Sequence, residues 1–194
     1  MQIDFPQALE TITSKALELV DKFPTPIILI DGRAGSGKST LAAQVQEALF
    51  KQLEQLPRLI HMDDLYPGWD GLRAGSHYLN QNILTPLANG KTASWQIWDW
   101  NENRRGGKDA GNGWREYSGP GLVIVEGCGS LSRSSKALSQ LSIWLEVDQA
   151  TRRTRWIERD GTKFEEYWGP WSAQEDEFYQ VEKSAELADL VIRD

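Results

Sequence analysis

The sequence predicts an α/β fold: a five-stranded parallel sheet with helices on both faces. Two observations carry that reading. Short, continuous apolar runs, the pattern of strands buried on both sides, recur along the chain and alternate with segments whose apolar residues follow helical spacing. A glycine-rich turn also joins the first of these runs to the helix that follows it.

In chain order, Leu9, Ile12, Ala16, Leu19 and Phe23 give residues 7–23 an amphipathic helical stripe that ends before Pro24. "PIILID" (26–31) reads as a buried strand, 39–53 as a helix and "RLIHM" (58–62) as a second strand. Tyr78, Leu79, Ile83 and Leu87 mark a helix over 76–89. Residues 90–120, rich in Gly, Asn and Trp, read as irregular, and a long connection of that kind is usually functional. "GLVIVEG" (121–127) and "SIWLEVD" (142–148) supply two more strands. Helices follow over 150–160 and from about 171 to 187, and "ADLVIRD" (188–194) closes the sheet.

The chain of 194 residues is the length of one domain, and residues 1–194 are read as a single unit. A formal net charge of −7 argues against a nucleic-acid-binding surface. Cys128 is the only cysteine, which excludes an intrachain disulfide and fits a reducing compartment. The N-terminal residues lack the layout of a secretory signal, and no run reaches the eighteen or so apolar residues of a membrane span. The expectation is therefore a cytoplasmic protein with no membrane and no nucleic-acid partner. Monomer and homodimer both stay open.

"GRAGSGKS", Gly32 to Ser39, matches the phosphate-binding pattern G-x-x-x-x-G-K-S/T between a strand and a helix. Gly32, Gly35 and Gly37 allow a backbone path that turns N–H groups toward phosphate oxygens, and the following helix adds the positive end of its dipole. Lys38 can reach the β- and γ-phosphates, and Ser39 can ligate Mg²⁺. The ATP-binding set is then Gly32, Arg33, Ala34, Gly35, Ser36, Gly37, Lys38, Ser39 and Thr40. No guanine-reading NKxD segment and no LSGGQ-like segment is present, which turns the reading from GTPases and transporter ATPases toward small-molecule kinases. The expected fold is the three-layer α/β/α sandwich of P-loop NTPases.

In such a sheet, ligands sit beyond the carboxyl ends of the strands. Asp63 and Asp64 follow "RLIHM", and Glu126 ends "LVIVE". Phosphoryl transfer to an alcohol needs a group to take the hydroxyl proton and a metal to neutralise developing charge. Asp63 suits the first role. Glu126 suits the second together with Ser39, and Asp63 could share the metal's water shell.

The ordered motifs resemble the uridine kinase / phosphoribulokinase-like group of P-loop kinases nearly end to end. "DGRAGSGKSTLA" resembles its P-loop, and "MDDLYPG" its D-x-F/L-Y acceptor motif. "ILTPLANGKTASWQIWDWNENRR" resembles the segment lining its acceptor pocket, and "LVIVEGCGSL" the strand ending in E-G. "TRRTRWIERD" resembles the helix entering its lid, and "LADLVIRD" its A-D-x-V-I strand. The resemblance implies Asp63 as catalytic base, Glu126 at Mg²⁺, and Arg155 or Arg159 screening the transferred phosphoryl group. It implies an acceptor-side insert over 64–118, an acceptor site that includes Asp64, Tyr66, Trp98 and Asp99, and a short lid over about 160–170. The chain departs from the group with Trp98 and Asn103 in place of the base- and sugar-reading Tyr and His, and with a short lid whose only cation is Lys163.

Other residues remain two-sided. Arg152, Arg155 and Arg159 share one helical face, for phosphate or for solvent. Trp98 and Trp100 could stack a planar substrate or fill a small core, and Trp168 and Trp171 could close over the acceptor or pack inside. Arg104 and Arg105 could bind an anionic acceptor. His61 and His77 show no metal-ligand spacing and receive no role. The expected activity is transfer from Mg²⁺–ATP to a hydroxyl of a nucleoside or related sugar-containing metabolite. The alternatives are a nucleoside monophosphate kinase, drawing on Arg73, Arg104 and Arg105, or a nucleotide-binding sensor with little turnover.

Overall fold

The computed structural model describes residues 2–108 and 111–193. Its centre is a sheet of β1 (Gln2–Asp4), β2 (Ile27–Gly32), β3 (Arg58–His61), β8 (Val123–Glu126), β9 (Leu141–Glu146) and β10 (Leu190–Arg193). The strands run in the order β1-β10-β9-β2-β8-β3, and every pairing is parallel. The three-layer α/β/α architecture is as expected, but the sheet has six strands, not five. The sixth, β1, is a three-residue edge strand, too short to show a periodic pattern.

One face is covered by α1 (Phe5–Val20) and α2 (Lys38–Leu53). There Ile12, Ala16, Leu41 and Val45 close over Ile28, Ile30, Ile124 and Ile143. The other face is covered by α3 (Leu72–Leu79) and α7 (Glu165–Glu182), where Leu72, Leu79, Trp171 and Phe178 meet Leu29, Val123 and Val125. Because both faces are sealed, β2 and β8 are buried at every position, which is why they read as continuous apolar runs.

The helix expected over 76–89 starts earlier, at Leu72. It passes through a π-helical turn at Asn80–Leu84 and ends as α4 (Thr85–Ala88). Pro86 has no amide to donate, so the regular ladder is interrupted there. The stretch expected to be irregular instead folds into two small antiparallel pairs. β4 (Ala93–Gln96) pairs with β7 (Trp114–Tyr117), and β5 (Trp98–Asp99) pairs with β6 (Arg104–Arg105).

Ser132 caps the short α5 (Arg133–Lys136), and Asp148 caps α6 (Gln149–Asp160). The helix expected from about residue 171 starts earlier. A single 3₁₀ turn (Gly161–Phe164) leads directly into α7, which carries Pro170 inside it rather than starting beyond it. Burial of Trp168 and Trp171 on one side of α7 outweighs the proline's preference for a boundary. A final turn, α8 (Ser184–Leu187), leads into β10. Among the described residues, no helix is long and apolar enough to cross a membrane.

Candidate active site

The glycine turn lies where β2 leaves the sheet and α2 begins. Gly37 takes the N-cap position in the left-handed region (φ 91°), and no side chain caps the helix. The first-turn amides of α2 therefore have no side-chain acceptor, and an anion fits there. Gly35 (φ 78°) is a packing requirement as well: a Cβ on it would stand 2.2 Å from the Arg152 carbonyl oxygen. Lys38 is buried and folds back on the turn, its Nζ donating to the Arg33 carbonyl at 2.9 Å. Burial works against its charge. Cys128, Glu126, Asp31 and Glu175 together pull harder the other way, so its pKa is raised.

Parallel pairing of β3 with β8 sets His61 beside Glu126. Glu126 is buried. Ser39 Oγ donates to both of its carboxylate oxygens at 3.1 Å, and His61 Nδ1 lies 2.6 Å from Oε1. That hydrogen bond raises the pKa of His61 despite partial burial. His61 had no expected role. The signal that could have found it is its place at the end of a strand, two positions before Asp63, but the neighbouring strand is a tertiary fact.

Asp63 lies just beyond β3, in the 3₁₀ turn Met62–Asp64. Its side chain is exposed, although the surrounding protein still partly desolvates the carboxylate. Burial raises its pKa first, Glu126 raises it further, and Lys38 and Arg159 pull it down. Charges from the end of β8, the start of α2 and the end of α6 therefore act on one carboxylate. The Asp64 pKa is also raised, by burial first, against the pull of His61 and Arg115. Arg115, on β7, had not been singled out in the sequence.

Several residues expected at the acceptor are engaged within the protein. Tyr66 is buried, its hydroxyl donating to the Cys128 carbonyl at 2.7 Å and its ring edge-on to Trp171. Trp168 is buried against Trp156. Asp99 accepts from the amides of Asn101, Glu102 and Lys108, which pins the turn between β5 and β6. Trp98 is half-buried in the neighbourhood of the Arg105 guanidinium, whereas Trp100 stands apart and donates from Nε1 to the Asp63 carbonyl at 3.0 Å.

Nor do the arginines needed by a phosphate acceptor converge. Arg105 donates to the Gln96 and Leu65 carbonyls and lies 3.6 Å over the Tyr78 ring. Arg104 is exposed beside Gly107, and Arg73 pairs with Glu177. The shared face of α6 divides too. Arg152 is buried and bonds the Val147 and Ala34 carbonyls, Arg155 is half-buried, and Arg159 is exposed with its charge acting on Asp63.

Trp69 is the hub of an aromatic bridge from the segment after β3 to α6, the 3₁₀ turn Gly161–Phe164 and α7. It stacks on Tyr167 at 4.3 Å with a 9° interplanar angle and meets Trp100, Phe164, Trp156 and Trp171 within about one ring's reach.

A strand–glycine turn–helix cradle in a parallel sheet, with carboxylates at the neighbouring strand ends, defines the P-loop class of α/β/α fold. Solved structures share it. A possible uridine kinase from Bacillus stearothermophilus superposes with a TM-score of 0.61 at 18% identity, covering 94% of this chain and 99% of that one. A candidate fructose transport system kinase from Silicibacter sp. TM1040 gives 0.55 at 21%, covering 94% and 98%. A D-glycerate 3-kinase from Cryptococcus neoformans gives 0.52 at 14%, covering 93% and 88%. At these identities the likeness is one of fold. No family model matches the chain, and no curated protein matches it in sequence.

Proposed function

We propose that the chain is a kinase that transfers the γ-phosphate of Mg²⁺–ATP to a hydroxyl of a small molecule, a nucleoside or related sugar-containing metabolite, in the cytoplasm. The observation that carries the reading is geometric: Ser39, in the first turn after the glycine loop, donates to both oxygens of Glu126 at the end of β8, and the paired strand β3 leads directly into the turn that carries Asp63. The proteins that share the fold and are described as kinases of uridine, fructose transport and D-glycerate support the same reaction type.

In this reading the loop amides and Lys38 hold the β- and γ-phosphates. Asp63 orients the acceptor hydroxyl and takes its proton as the oxygen attacks the γ-phosphorus. The bond to the β-phosphate oxygen breaks, and ADP leaves. Arg159, with Arg155 behind it on α6, screens the charge on the transferring group.

The donor set fits a hard divalent cation. Ser39 Oγ and both Glu126 oxygens meet within 3.1 Å. Among the described residues no three His, Cys, Asp or Glu side chains gather as a metal site. That suits Mg²⁺, which is usually held by one or two protein oxygens along with phosphates and water. Ser39 and Glu126 would hold it, with Asp63 at its water shell, and when bound it would neutralise charge on the phosphate oxygens.

The test is Asp63→Asn assayed for ATP consumption across a panel of hydroxyl metabolites. Turnover should fall about a hundredfold or more while ATP affinity stays within a few-fold. Undiminished turnover would remove Asp63 from the mechanism. Tight ATP binding with no acceptor-dependent consumption by the wild type would favour a sensor instead.

A further inference from the structure

Ala34, at the entry of the glycine turn, is held from two directions by the helices on either side of the lid. Its amide donates to Glu175 Oε1 on α7 at 2.6 Å, and its carbonyl accepts from Arg152 Nη1 on α6 at 3.2 Å. Glu175 is fully buried, and Cys128 Sγ also donates to Oε1 at 3.3 Å. Its Oε2 makes no hydrogen bond but lies 3.7 Å from Arg33 Nη1 and 4.0 Å from Arg152 Nη1. Two guanidinium groups thus compensate a negative charge placed directly behind a phosphate cradle, where an uncompensated one would repel the ligand.

An amide bonded to Glu175 is not available to phosphate, so this contact decides which loop N–H groups remain for the nucleotide. It also fixes the direction in which the chain enters the turn. We propose that Glu175 is a positioning residue: acting through Ala34, it holds the cradle in its nucleotide-ready shape and ties that shape to the lid helix α7. The inference rests on the nucleotide-binding reading above.

ATP binding by calorimetry to the wild type, Glu175→Gln and Glu175→Ala tests it, with thermal unfolding as the check on folding. Gln keeps an oxygen for the Ala34 amide, whereas Ala leaves the amide buried and unpaired. The expected result is affinity within about threefold of wild type for Gln and at least about tenfold weaker for Ala. Wild-type affinity in Glu175→Ala, or equal weakening by both substitutions, would overturn the inference. Absence of ATP binding by the wild type would instead sink the nucleotide reading, and this inference with it. If Glu175→Ala does not fold, Arg152→Lys serves in its place. It keeps the charge beside Glu175 but loses the fork that reaches Ala34 and Val147, and ATP binding should weaken at least about threefold. Unchanged binding there overturns the inference equally.

Discussion

His61 Nδ1 lies 2.6 Å from Glu126 Oε1, the carboxylate that Ser39 also reaches. Three elements, β3, β8 and α2, thereby converge on one carboxyl group. A ligating carboxylate held by an outer partner keeps its orientation, and loss of such a partner usually costs ten- to a hundredfold in metal affinity. His61→Ala should therefore raise the Mg²⁺ concentration for half-maximal turnover by about tenfold or more, with ATP binding measured in EDTA little changed. An Mg²⁺ titration of activity at fixed ATP checks it.

Gly35→Ala should abolish nucleotide binding rather than weaken it slightly. The new Cβ would meet the Arg152 backbone oxygen, which no side-chain rotation can relieve, and φ of 78° adds a strain of about 1–2 kcal/mol. Calorimetry with ATP gives the readout, and circular dichroism reports whether the sheet persists.

Tyr66→Phe separates a packing role from an acceptor role. The hydroxyl is bonded to the Cys128 carbonyl inside the core, so its loss should lower unfolding stability by about 1–3 kcal/mol. The acceptor KM should not move. Urea unfolding and steady-state kinetics measure the two quantities.

Asp31 gives the fold a pH dependence. Burial pushes its carboxyl up to about 6, even though Leu131, Tyr179 and Gly32 donate to it and favour the charge. A raised carboxyl pKa means the folded state binds a proton that the unfolded state has released. The contribution of Asp31 should therefore be most favourable below about pH 4 and decline as pH rises to about 6, by about 3 kcal/mol at most. Unfolding curves of wild type and Asp31→Asn across that range should differ by this slope.

The strands and the cradle were legible because their signals are local: unbroken apolar runs, and glycines at fixed spacing. β1 was not, since three residues carry no period, and its pairing with β10 is decided by the far end of the chain. The hairpins of 93–117 were missed because Gly- and Asn-rich turns conceal short strands whose register depends on Arg105 reaching back to Leu65.

Within the site, the residues at strand ends could be placed from sequence, because a parallel sheet fixes where strands finish. Side-chain direction could not. Tyr66, Trp168 and Asp99 have the chemistry of ligand contacts but spend it on Cys128, Trp156 and turn amides. His61 and Glu175 act through partners 65 and 141 positions away, and no local pattern encodes such pairings.

The bridge centred on Trp69 gives the segment 161–167 a thermodynamic character of its own. Separating Tyr167 and Phe164 from Trp69 wets apolar surface. That separation should carry a positive heat-capacity increment, whereas the exposed Arg153–Glu165 ion pair next to the rings should weaken as salt is added.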